Sequence, residues 1–281
     1  DVSSEVLSLV EALSAPSSDQ RLVLTVMPGR TELSPEAKAA IAGANAELVT
    51  GPATLNRIGE FAHNSHGVHV IAHGNLINNA RVKNQGVLTL ESSEGASALV
   101  TDEELKAWVH DELRLVFLQA CRGAAGRALV GLAPRLVASG VPAVVGMQDF
   151  VEMNDARNFA RTFYRCLTSH GIVDAAVNSG RQQIRSDASR DNWSIPALFL
   201  RIRDGRLWQP DPLREFLRSQ KQSLDSRPQV LTPFPIQAIE SLHGLQLDTG
   251  KDAAGPVRTL TEALPEKLAQ DSALVCLTGP P

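Results

Sequence analysis

Apolar positions along the chain fall into two spacings, one helical and one continuous. Val6, Leu7, Leu9, Val10 and Leu13 recur at helical spacing within residues 1–20, ahead of a Pro/Ser-rich break at 16–18. Leu22-Val23-Leu24-Thr25-Val26 is an unbroken, β-branched run stopped by Pro28-Gly29, which predicts a buried strand. Ser34-Pro35 supplies an N-cap and a first-turn proline for a helix over AKAAIAGA. A second apolar run, Val68 to Ala72, ends at His73-Gly74, and a third, Leu115 to Leu118, leads to Cys121.

Beyond Cys121 the pattern continues in the same alternation. An alanine-rich helix (Leu129, Leu132, Ala133, Leu136, Val137) stops at Gly140, and Ala143 to Met147 reads as a fourth strand. A helix from about Asn154 places Ala156, Phe159, Phe163 and Leu167 on one face. The segment SIPALFLRIRDGRLW predicts a β-hairpin with Asp204-Gly205 in its turn. Buried strands alternating with amphipathic helices predict an α/β sheet covered on both faces.

Composition narrows the functional classes. With 281 residues and 43% hydrophobic content the chain has enough apolar surface for a sizeable core. The 27 basic and 31 acidic side chains are dispersed, so neither nucleic acid nor an anionic membrane is expected as the main partner. The longest apolar runs have strand length, too short to span a bilayer. No basic-apolar leader opens the sequence, and Cys121, Cys166 and Cys276 form no C-x-x-C pair. A reducing cytoplasm is therefore expected, with no metal site and no cofactor.

In sheets of this kind reactive groups gather beyond the carboxyl ends of the strands. His66, His73, His170 and His243 all precede a glycine, but only His73 directly follows an apolar strand. His69, inside that strand, reads as a packing residue. Cys166 and Cys276 lie in apolar helix and strand patterns and read as core. Cys121 differs, because Arg122-Gly123-Ala124-Ala125-Gly126 follows it and small residues let a substrate carbonyl approach the backbone. The string Gln119-Ala120-Cys121-Arg122-Gly123 matches the caspase pattern Q-A-C-[RQG]-G, and His73 stands about 50 residues upstream, as that pattern requires.

On these residues the chain resembles clan CD cysteine peptidases and, among them, the CHAT domains of bacteria. The resemblance spans about residues 20–208. It takes in the strand before His73-Gly74, the acidic helix opened by Thr101-Asp102-Glu103-Glu104, and LVFLQACRG. LAPRLVASGVPAVVGMQ, NFARTFYRCL and VDAAVNSGRQQIR continue it. CHAT sequences usually carry serine at the place of Gln119 and an acid at the place of Arg122, so this chain is more caspase-like at both. Where they commonly have a tryptophan near the end of the fourth strand, it has Met147-Gln148.

The resemblance implies a caspase-like sheet of mostly parallel strands with helices on both faces. It also implies a cysteine endopeptidase acting on a protein substrate through a His73–Cys121 dyad. His73 would take the thiol proton and later protonate the leaving amine, while the main-chain N–H groups of Gly74 and Cys121 would bind the oxyanion. In caspases the glutamine two before the cysteine and an arginine after the first strand hold a P1 aspartate, which points to Gln119 and Arg30. Asp149 and Glu152, beyond the fourth strand, would instead receive a basic P1 residue. Two other readings remain: a silent caspase-like interaction domain, and a cysteine amidase of small molecules.

Four segments are expected: an N-terminal helix and linker (1–20), the peptidase domain (21–208), a polar linker or docking arm (209–235), and a helical extension (236–281). The last segment ends in Ala273 to Thr278 and Gly279-Pro280-Pro281, which resembles the opening of a P-loop without its lysine. That ending suggests a C-terminal NTPase or sensor module in a longer defence protein. CHAT fusions of this type imply an activity held in check until triggered.

Overall fold

The structure, a computed structural model, describes residues 2–18, 22–77, 85–119, 125–149, 151–187, 191–208 and 273–278. In chain order the elements begin with α1 (Val2–Ser18), β1 (Val23–Met27), α2 (Pro35–Gly43), β2 (Glu47–Leu48) and α3 (Leu55–Ala62). Then come β3 (Gly67–Ile71), β4 (His73–Ile77), β5 (Gln85–Glu91), β6 (Ser97–Thr101), α4 (Asp102–Leu105) and β7 (Leu115–Gln119). The remainder are α5 (Ala125–Ser139), β8 (Ala143–Met147), α6 (Met153–His170), α7 (Val173–Asp187), β9 (Pro196–Leu200) and β10 (Ala273–Thr278). The helical patterns expected over 236–270 and the arm at 209–235 lie outside the described residues.

Local chemistry sets the boundaries. Ser34 Oγ accepts the Ala37 N–H at 3.2 Å and caps α2, whose first residue is Pro35. Thr101 and Glu104 form a capping box on α4: Thr101 Oγ1 accepts the Glu104 N–H, and Glu104 Oε2 accepts the Thr101 N–H at 2.8 Å. Gly171 ends α6 at φ 72°, and its N–H donates to the Leu167 carbonyl at 2.8 Å. Helix α1 stays helical through the Pro/Ser-rich stretch to Ser18, one turn further than the sequence suggested.

Seven strands form the main sheet in the order β2-β1-β10-β3-β7-β8-β9, all parallel except β9, which runs antiparallel to β8. The expected α/β class, a mostly parallel sheet covered on both faces, is the one observed. Alternation along the strands divides the core. Leu115, Phe117, Ala143, Val145 and Met147 face α1, α6 and α7, whereas Val116, Leu118, Val144, Val68 and Val70 face α3 and α5. A second, antiparallel sheet, β4-β5-β6, packs against α5. Its separation from the main sheet has no counterpart in the pattern of apolar positions. No described helix is long and apolar enough to cross a membrane.

The hairpin expected at 194–208 does not form. After β9 the chain returns toward the α6–α7 junction, where Arg206 makes an isolated antiparallel bridge with Ile172. The Val173 N–H donates to the Gly205 carbonyl and the Leu207 N–H to the Gly171 carbonyl, both at 2.8 Å. Asp204-Gly205 does make a turn, with Gly205 at φ 64° and Asp204 Oδ1 accepting the Arg206 N–H. The turn delivers the chain to a helix terminus, where the α6–α7 junction offers backbone N–H and C=O groups that the helices leave unpaired.

Candidate active site

Strands β3 and β7 are neighbours in the sheet, in a register that pairs Ile71 with Gln119. His73 lies two residues beyond Ile71, and Cys121 two residues beyond Gln119. The two strands that lead toward the candidate catalytic residues are therefore adjacent, parallel and end at the same level, with strand axes about 4.8 Å apart. The Ala72 N–H donates to the Gln119 carbonyl at 3.1 Å and extends the ladder to the residue before His73. Cys121 itself, with the rest of 120–124, lies outside the described residues.

His73 opens β4, where the chain passes from the main sheet into the antiparallel one. It is half-buried and sits opposite Thr89 of β5. Gly74, the expected oxyanion donor, is buried in β4 opposite Leu88. The continuous apolar run through residue 72 ends here because the next strand belongs to a different sheet and has a solvated edge.

Arg30 is exposed in the loop after β1, and Glu91 fixes that loop. The Glu91 carboxylate, only 4% exposed, accepts the Arg30 N–H at 2.9 Å through Oε1 and the Ala53 N–H at 2.7 Å through Oε2. Arg30 Nη2 donates to the Ser93 carbonyl at 3.1 Å. Since Glu91 is two residues beyond the partner of His73 on β5, this carboxylate ties the Arg30 loop to the histidine's own sheet, about 7 Å along the strand.

Gln119 is turned into the core beneath α1 and α6. Its Nε2 donates to Glu5 Oε2 at 2.8 Å, and its Oε1 is 3.1 Å from His69 Nε2. His69 Nδ1 is 2.8 Å from the Tyr164 hydroxyl, and the ring stacks on Phe117 with centroids 4.3 Å apart. Complete burial pushes the His69 pKa down to about 3, only partly opposed by its bond to Gln119, so the ring is neutral. The packing role expected of His69 is what it has, combined with two hydrogen bonds. Asp149 and Glu152 are exposed just past β8, with Glu152 at the N-cap of α6.

The other candidates are accounted for differently. His66 precedes β3, and its carbonyl accepts the Arg114 and Leu115 N–H groups. His170 closes α6, with Nδ1 accepting the Ile172 N–H at 3.1 Å. Cys166 is half-buried on α6, and His243 lies outside the described residues. Sequence reasoning missed Glu5, Tyr164 and Glu91. Glu5 had a legible signal: it shares the helical stripe of Leu9 and Leu13, an acid on the face destined for the core.

No curated protein matches the chain. The family model of the CHAT domain matches residues 4–233, which takes in α1, every strand of the main sheet but β10, and both strand ends that carry His73 and Cys121. The chain belongs to the CHAT domain family, whose caspase-like fold is related to that of the cysteine peptidases.

Proposed function

We propose that this protein is a cysteine endopeptidase in which Cys121 attacks a peptide carbonyl and His73 serves as general base and then acid. The observation that supports this reading is the Ile71–Gln119 pairing, which ends the strands preceding the two residues side by side at one level. A thiol at neutral pH is mostly protonated, so a nearby imidazole is needed to generate the thiolate. Attack forms a tetrahedral oxyanion facing the N–H groups of Gly74 and Cys121. Its collapse expels the amine, which takes the proton from His73, and leaves a thioester on Cys121. Water then attacks the thioester, giving up a proton to His73, and releases the acid and the thiol.

Membership of the CHAT family and the Gln-Ala-Cys-Arg-Gly string support the same reading. Within it the protein is a cytoplasmic effector of bacterial defence or cell death, with a C-terminal NTPase or sensor module that gates it. The test is cleavage of a peptide library by the protein and by its Cys121→Ala and His73→Ala variants. Each variant should lose several orders of magnitude in turnover with an unchanged unfolding midpoint. Near wild-type cleavage by Cys121→Ala would leave the silent interaction domain or another nucleophile as the better reading.

A further inference from the structure

Four side chains from four elements form one buried hydrogen-bonded chain on the α1/α6 face of the sheet: Tyr164 (α6), His69 (β3), Gln119 (β7) and Glu5 (α1). None is more than 2% exposed. Its direction follows from donor inventory. A carboxylate only accepts, so the Gln119 amide presents Nε2–H to Glu5 and its oxygen to His69. The neutral imidazole then donates from Nε2 and accepts the Tyr164 O–H at Nδ1.

This chain is a costly thing to bury. Burial raises the Glu5 pKa, against the opposing effects of Gln119 and Arg157. Arg157 Nη2 is 3.9 Å from Glu5 Oε1, and neither Glu5 Oε1 nor Arg157 Nε has a hydrogen bond. An apolar side chain of similar volume would serve the core at least as well. What the polar chain adds is geometry. His69 is the register partner of Phe117, so its bond to Gln119 runs diagonally across β3 and β7 and locks one strand end against the other. His73 follows His69 by four residues, and Cys121 follows Gln119 by two.

We propose that Glu5 of the N-terminal helix is a positioning residue for the nucleophile: by holding the Gln119 amide it fixes the carboxyl end of β7 from which Cys121 emerges. This rests on the cysteine peptidase reading. A misplacement of about 1 Å between reacting groups costs about a hundredfold in rate, so the effect falls on kcat and not on substrate affinity.

The test uses the full chain and three substitutions. Glu5→Gln keeps an acceptor for the Gln119 N–H and should hold kcat within about threefold of wild type, whereas Glu5→Met, of similar volume but without an acceptor, should lower kcat about 10- to 100-fold at nearly constant KM. Should Glu5→Met fail to fold, Glu5→Asp, whose carboxylate falls short of Gln119, carries the same expectation. The rate of Cys121 alkylation by iodoacetamide, followed by mass spectrometry, reads the placement of the thiol without any substrate and should change in step. Folded Met or Asp variants with wild-type kcat and alkylation would overturn the proposal, as would a Glu5→Gln variant as impaired as Glu5→Met. If the wild-type protein cleaves no peptide even with its gating module and trigger present, the peptidase reading falls, and the alkylation ratio alone decides the role of Glu5.

Discussion

Glu91 holds Arg30 by its backbone: the Arg30 N–H donates to Glu91 Oε1 at 2.9 Å, while the other oxygen of the same buried carboxylate takes the Ala53 N–H. One side chain of β5 thus anchors the loops after β1 and before α3. Removing it in Glu91→Ala orphans two N–H groups, each costing about 1–3 kcal/mol if left unpaired. We expect a loss of about 2–4 kcal/mol in denaturant unfolding at neutral pH, and a smaller loss for Glu91→Gln, which keeps one acceptor. Equal stability of Glu91→Ala and wild type would show that the loops carry themselves.

The Asp102–Arg135 pair predicts an acid-side signature. Burial alone pushes the Asp102 carboxyl up, but the hydrogen bonds and charge of Arg135 with the hydrogen bond of Gln85 outweigh it and hold the pKa below the ordinary aspartate value. A depressed carboxylate pKa adds stability that is present above the unfolded-state value, about 3.9, and that is lost as pH falls through the folded value. Asp102→Asn should therefore destabilise at neutral pH, and the gap from wild type should close below about pH 4. Because Arg135 is more than half exposed, the gap at neutral pH should be no more than about 1 kcal/mol. Urea titrations across the acid range would show it. A gap independent of pH would rule out the carboxylate as its source.

Gly171 predicts a local fault line. At φ 72° its missing Cβ would stand 2.2 Å from the Trp208 carbonyl oxygen. Gly171→Ala combines left-handed strain with a backbone clash, so it should cost about 1–3 kcal/mol. Since the strained junction also receives the Leu207 N–H, hydrogen exchange at Leu207 should rise more than at the centre of β7.

Substrate choice should follow the exposed charges past β8. The Gln119 amide is engaged with Glu5 and His69, and the Arg30 guanidinium donates to Ser93. Asp149 and Glu152, exposed at the carboxyl end of β8, stand next to the strand that leads to Cys121. On the proposed peptidase reading, cleavage after Arg or Lys is expected, and a joint Asp149→Lys, Glu152→Lys substitution should lower kcat/KM for those peptides about tenfold. A library that shows strict cleavage after aspartate would return the pocket to Arg30.

Much of this protein was readable from its residues because the relevant signals are local. Strand β3, strand β7 and helix α6 are each written in a continuous apolar run or a single helical stripe, and the caps at Ser34, Thr101 and Gly171 need only their neighbours. The placement of His73 just beyond β3 was equally legible. Pairing was not, since strand order, the 71–119 register and the separate β4-β5-β6 sheet depend on contacts between distant segments. The turn at Asp204-Gly205 shows the limit: its two residues specify a reversal, but the open bonds at Ile172 and Gly171 choose where the chain goes. Only the tertiary structure could join Glu5 to Gln119, 114 residues apart. A polar residue on an apolar stripe announces that it needs a partner, and the packing of α1 across the sheet decides which one it gets.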